Sequence, residues 1–61
     1  MNNKEKEVII ERIIKAYCEL QNFNYDNLSS EAYDTMYNMC YELDDNTLIS
    51  KLNELYEISF K

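Results

Sequence analysis

The sequence predicts an all-α fold, a compact three-helix bundle that forms a single small domain over residues 1–61. Glycine and proline are both absent, which disfavours tight β-hairpins and phosphate-binding loops. Apolar residues recur at three- and four-residue spacing, which is the period of one face of a helix. Two short segments rich in Asn, Asp and Ser interrupt this pattern and supply the turns.

The first helix is predicted over about residues 3–22. Its apolar face is carried by Ile10, Ile13, Ile14, Tyr17 and Leu20. Val8, Ile9 and Ala16 widen this face, and a wide face favours contact with more than one neighbour, in the monomer or across a homodimer. The residues predicted for self-association are Ile9, Ile10, Ile13 and Tyr17.

A polar break at residues 22–29 separates the first helix from the second, which is predicted over about residues 30–43. Ser29 is the best N-cap candidate, and Glu31 follows it in the first turn, where a negative charge suits the helix dipole. The third helix is predicted over about residues 46–59, with Phe60 packing at its end. Because the connection around Asp44 is short, the second and third helices are expected to be antiparallel neighbours.

Charge is distributed very unevenly along the chain, whose net charge is −6. No lysine or arginine occurs between Ala16 and Ser50, whereas that stretch contains seven acidic residues and five of the six tyrosines. An acidic surface repels nucleic acid and suits a basic protein partner. The alternative is that the acidic residues serve solubility only, because a charge of this size is ordinary for a soluble domain.

Three tyrosines of the second helix, Tyr33, Tyr37 and Tyr41, are spaced four residues apart and share one face. Tyrosine is enriched at binding hot spots, so this strip is a candidate interface. The alternative is that the three rings only border the core. The full set of predicted partner-binding residues is Tyr33, Tyr37, Tyr41, Glu31, Asp34, Glu42, Asp44 and Asp45.

The residue types disfavour catalysis and metal binding. Histidine is absent, which removes the commonest general base. Cys18 and Cys40 alone cannot complete a structural zinc site, and both are interpreted as small core residues. No enzyme activity, cofactor or metal is therefore expected.

These features favour a non-enzymatic acidic protein-binding module, a small regulator or inhibitor of a basic and possibly nucleic-acid-binding protein, of the kind that phages, plasmids and accessory genes encode. The alternative is a structural or assembly module that associates with itself through the first helix. The amino-terminal segment lacks the features of a signal peptide, and no apolar run is long enough to span a membrane. A cytoplasmic protein with reduced thiols and no membrane contact is expected.

Overall fold

A computed structural model of the protein describes residues 1–59. They form three α-helices, α1 (Asn3–Leu20), α2 (Ser30–Tyr41) and α3 (Asp45–Ser59), with a short 3-10 helix between α1 and α2. The predicted all-α three-helix fold is confirmed. α1 and α2 each end two residues earlier than predicted, and α3 begins one residue earlier. The prediction about Phe60 falls outside the described residues.

Both ends of α1 are capped by asparagines. The Asn2 side chain accepts a hydrogen bond of 2.8 Å from the Glu5 backbone N–H, as an N-cap residue does. Just after the helix, Asn22 has a positive φ of 56°, and the Phe23 N–H donates to the Cys18 carbonyl oxygen at 2.9 Å. This is a Schellman ending, in which asparagine takes the place that glycine usually occupies.

α2 and α3 each begin after an oxygen-bearing side chain, of which the sequence predicted only Ser29. The Ser29 hydroxyl accepts a hydrogen bond of 3.1 Å from the Ala32 N–H, which confirms it as the N-cap of α2. The Asp44 carboxylate accepts one of 3.2 Å from the Thr47 N–H. Each contact satisfies a backbone donor that the first turn of a helix leaves unpaired.

α1 is the central element of the fold and supplies five of the seven buried core residues. The core consists of Ile10, Ile13, Ile14, Ala16, Cys18, Leu48 and Leu55. α2 contributes half-buried side chains that pack against this core. The wide apolar face predicted for the first helix accommodates both neighbours, so within residues 1–59 α2 and α3 pack far more on α1 than on each other.

The resulting domain is flat, measuring 30 × 29 × 15 Å along its principal axes. A layer this thin can bury few side chains completely, which is the general difficulty of domains of this size. None of the helices within residues 1–59 combines the length and the hydropathy needed to cross a membrane.

Candidate functional site

Four tyrosine rings form a continuous row on the side of α2 that faces α1. We call this row, Tyr25, Tyr33, Tyr37 and Tyr41, the tyrosine ladder. The ring centres of Tyr33 and Tyr37 are 6.1 Å apart and those of Tyr37 and Tyr41 are 6.0 Å apart, both stacked. Tyr25 meets Tyr33 edge-on at 6.4 Å. All three distances lie in the range where aromatic pairs attract each other.

Both ends of the tyrosine ladder are covered by lysines of α1. The Lys6 ammonium lies 4.2 Å from the centre of the Tyr41 ring, and the Lys15 ammonium lies 5.2 Å from that of Tyr25. Both are cation–π distances. Lys15 also forms an ion pair of 3.4 Å with Glu11. The basic residues of the amino-terminal segment therefore contact the acidic, tyrosine-rich part of the chain.

The members of the tyrosine ladder differ in how deeply they are buried. Tyr33 and Tyr37 are half-buried and pack against the core, whereas Tyr41 is 44% exposed. Burial raises the pKa of Tyr33, with Tyr25 and Glu11 adding to the effect. Burial also raises the pKa of Tyr37, assisted by the nearby charge of Glu7. Both phenols therefore stay neutral at physiological pH.

Three exposed carboxylates run along the outer face of α2. We call this set, Glu31, Asp34 and Glu42, the acidic stripe. At about 100° per residue, the three positions fall within about 80° of the helix circumference. Among residues 1–59 their side chains form no ion pair and accept no hydrogen bond. The stripe thus presents uncompensated negative charge to solvent.

The other two acidic residues of the predicted partner-binding set have structural contacts. Asp44 caps α3, and its hydrogen bonds with Thr47 hold the pKa of the carboxyl below its usual value. Asp45 forms an ion pair of 3.3 Å with the terminal amine of Met1. The structure therefore brings the three tyrosines together and aligns three of the five predicted acids, while Asp44 and Asp45 lie at the start of α3.

The predicted self-association residues do not share one surface. Ile10 is 0% exposed and Ile13 is also buried, because α2 and α3 cover the α1 face that carries them. Ile9 is half-buried, and Tyr17 is 47% exposed. Of the four residues, Ile9 and Tyr17 keep the larger exposed surface, and Ile10 keeps none.

The two cysteines are free thiols. Cys18 belongs to the core, and Cys40 is half-buried against it. Burial raises the pKa of the Cys40 thiol, and the charge of Lys51 opposes this only in part. A raised pKa keeps a thiol protonated at neutral pH, the form that is neither a nucleophile nor a metal ligand. Within residues 1–59 no three Cys, Asp or Glu side chains are grouped to hold a metal ion.

Two parts of this arrangement were not predicted from the sequence. The first is Tyr25, which lies in the polar break between α1 and α2 and extends the tyrosine ladder. The second is the pair of lysines that covers the ladder. Lys6 and Lys15 lie nine residues apart, and nothing in that spacing pairs them with Tyr41 and Tyr25. Only the antiparallel packing of α1 and α2 does so.

No protein-family model, curated protein or solved structure matches this chain. Its function has to be argued from its own surfaces.

Proposed function

We propose that the protein is a non-enzymatic binding module that recognises a basic protein, and that it acts as a small regulator or inhibitor of that partner. The observation that carries this proposal is the acidic stripe of Glu31, Asp34 and Glu42. These carboxylates are exposed and aligned, and among residues 1–59 they have no ion-pair partner. Charges arranged in this way steer an oppositely charged partner and speed its encounter.

The acidic stripe is in part placed where it opposes helix stability, although Glu31 in the first turn suits the helix dipole. Glu31 and Asp34 are three residues apart on α2, a spacing at which like charges repel. Glu42 is the C-cap residue of α2, next to the negative end of the helix dipole, where a carboxylate is unfavourable. Acidic residues added for solubility alone could lie at less costly positions. Placement against local stability is more typical of a binding surface.

Tyr41 supplies an apolar contact beside the stripe. It lies seven residues after Asp34 and therefore two helical turns further along the same side of α2. It is the most exposed of the three tyrosines on α2. An exposed ring next to aligned carboxylates can pack against a partner while the charges set its orientation. In this proposal Tyr41 is the anchor, and Tyr33 and Tyr37 hold it in place.

The test begins with affinity capture from a cell lysate, using the tagged protein at low and at high salt. A basic partner bound through the stripe should be retained at low salt and released at high salt, because salt screens exposed charges. The captured partner is then titrated against a variant with the substitutions Glu31→Gln, Asp34→Asn and Glu42→Gln. We expect this variant to bind at least about tenfold more weakly, a loss of about 1.4 kcal/mol.

A matched control carries Glu19→Gln, Glu54→Gln and Glu57→Gln. It has the same net charge as the stripe variant, but the changed residues are exposed positions on α1 and α3. If both variants lose equal affinity, net charge alone explains binding and the stripe is not the site. Partner binding that is unaffected by salt and by the stripe variant would contradict the proposal.

A further inference from the structure

A second surface of the protein is apolar rather than acidic. It is a groove of about 420 Å³ between α2 and α3, which we call the α2–α3 groove. Ile13, Ile14 and Tyr17 of α1 lie at its floor, Met36 and Met39 of α2 form one wall, and Leu55 of α3 forms the other. The groove exists because both outer helices pack on α1 and hardly on each other.

This apolar surface extends beyond the groove. A neighbouring depression of about 380 Å³ shares Tyr17 and Met36 with it and adds Phe23 and Leu28. Tyr17 and Phe23 are about half exposed, and Met39 is 66% exposed. Contiguous exposed apolar surface of this kind marks an interaction site in a soluble protein.

Charge is nearly excluded from this face, although the chain has a net charge of −6. Lys51 is the single charged residue in the lining of the groove and of its neighbouring depression. A basic protein would find no carboxylate here to pair with. A second copy of this acidic chain would find here a surface free of the carboxylates that repel it elsewhere.

We propose that the α2–α3 groove is a two-fold symmetric interface with a second copy of this chain. Met39 projects from the groove wall while the groove itself is concave, so a protrusion and a complementary hollow share one face. Under two-fold symmetry each Met39 enters the groove of the other copy, and one patch satisfies both subunits. Methionine suits this role because its flexible, unbranched side chain fills irregular gaps.

The available area is sufficient for a stable dimer. A standard interface buries about 800 Å² on each partner. The broad face of the domain measures 30 × 29 Å, and the total accessible surface of the monomer is 4641 Å². An interface of standard size would therefore cover most of one broad face, the groove together with the residues around it. The thin core also gives a physical reason for dimerisation, because small domains often gain stability by self-association.

Sedimentation equilibrium of the full chain, from micromolar to millimolar concentration, tests the inference. We expect the mass to rise from 7.4 kDa to twice that value, and the dimer to tighten with salt, because salt screens repulsion between two acidic chains and strengthens apolar burial. Met39→Glu should raise the dimer dissociation constant at least about 30-fold, because it places a carboxylate in an apolar site. Tyr17→Lys should weaken the dimer in the same direction.

Val8→Glu is the matched control, with the same change of charge. Val8 is 44% exposed and lies nine residues before Tyr17, which places it on the opposite side of α1. This control should dimerise like the wild type, and circular dichroism should show that every variant folds.

The inference is overturned if the wild type remains at 7.4 kDa, including the case in which a different protein occupies the groove. Unchanged association of Met39→Glu, or equal loss in Val8→Glu, overturns it as well. A partner that binds the acidic stripe is released by salt, so the two proposals can fail separately.

Discussion

The two sides of α2 use their large side chains in opposite ways. On the side towards α1, Tyr33 and Tyr37 stack at 6.1 Å and are half-buried. On the side towards α3, Met36 and Met39 border an open groove, and Met39 is the most exposed large apolar residue of the described chain. The sequence spacing of the two pairs is almost the same. Large side chains spaced along one face of a helix are therefore packed or left exposed according to the element that faces them.

This difference in burial follows from the helix that each side of α2 faces. α1 presents Lys6, Glu7, Glu11 and Lys15 to the tyrosine ladder, and two of these side chains cover its outer rings. α3 presents Lys51 and Leu55 to the groove without closing it. The phenol rings tolerate charged neighbours because of their polar hydroxyl groups and electron-rich faces.

We expect the strongest destabilisation from truncating a core residue of α1 that also lines the groove beside α2. Ile14 is fully buried in the core and lines the groove. Ile14→Ala should reduce the free energy of unfolding by about 2–5 kcal/mol, because it deletes buried methyl groups and leaves a cavity. A small core rarely supplies more than about 3–5 kcal/mol, so the variant should be largely unfolded at room temperature. Urea denaturation followed by circular dichroism measures this, and a stable, fully folded variant would contradict the assigned core.

Replacing one large residue on each side of α2 with leucine tests the comparison directly. Tyr33→Leu removes contacts with two neighbouring rings, each worth about 0.5–1.5 kcal/mol, and should lower the free energy of unfolding by about 1–2 kcal/mol. Met39→Leu, at a position exposed in the monomer, should change monomer stability by less than about 0.5 kcal/mol. Tyr33→Phe keeps the ring and is the control. Equal effects of the two leucine variants would remove the distinction between the sides.

Alkaline pH should weaken the tyrosine side in particular. The folded protein raises the pKa of Tyr33 and of Tyr37, so near and above their usual pKa of about 10 the unfolded chain releases these protons more readily. The resulting stability is fully present below that pH and is lost as pH rises through the folded values. Replacing both residues with phenylalanine should flatten this part of the stability curve. Cys40, whose pKa is also raised, should still contribute a loss that begins near pH 9 and disappears in Cys40→Ala.

The smallest expected effect lies away from both sides, at the connection before α3. Asp44 has a lowered pKa because of its hydrogen bonds with Thr47. Its stabilising effect is therefore present above the usual pKa of aspartate and is lost as pH falls through the lower, folded value. Asp44→Asn keeps a capping side chain but cannot titrate, so its stability should depend less on pH in that acidic range. An unchanged acid transition would show that this cap does not contribute.

Much of the fold could be predicted from the sequence because its signals are local. Ser29 was expected to cap α2, and it does so with a hydrogen bond to the backbone of Ala32. The Glu11–Lys15 ion pair on α1 is a local contact of the same kind, between residues four apart. The predicted ends of α1 and α2 were less accurate, each being two residues too late. α1 ends at Leu20, where Asn22 takes the left-handed conformation that asparagine tolerates better than most residues.

The candidate surfaces were only partly predictable. Periodicity placed Tyr33, Tyr37 and Tyr41 on one face correctly, yet it could not show that α1 would half-bury two of them. Ile10 and Ile13 were assigned to self-association because the apolar face of α1 is wide. Within the monomer α2 and α3 both pack on this wide face, which leaves these two residues buried. The groove beside Met39 could not be inferred at all from one helix at a time.

Local sequence signals predict the three helices, the Ser29 cap of α2, the apolar face of the first helix and the separation of acidic from basic residues along the chain. These properties depend on neighbours within one helical turn or on composition. Tertiary packing alone determines which helix faces meet, which rings Lys6 and Lys15 cover, and how far apart α2 and α3 lie. Helical periodicity fixes the direction of a side chain around its own axis. It does not fix the distance or angle between two axes, and burial depends on both.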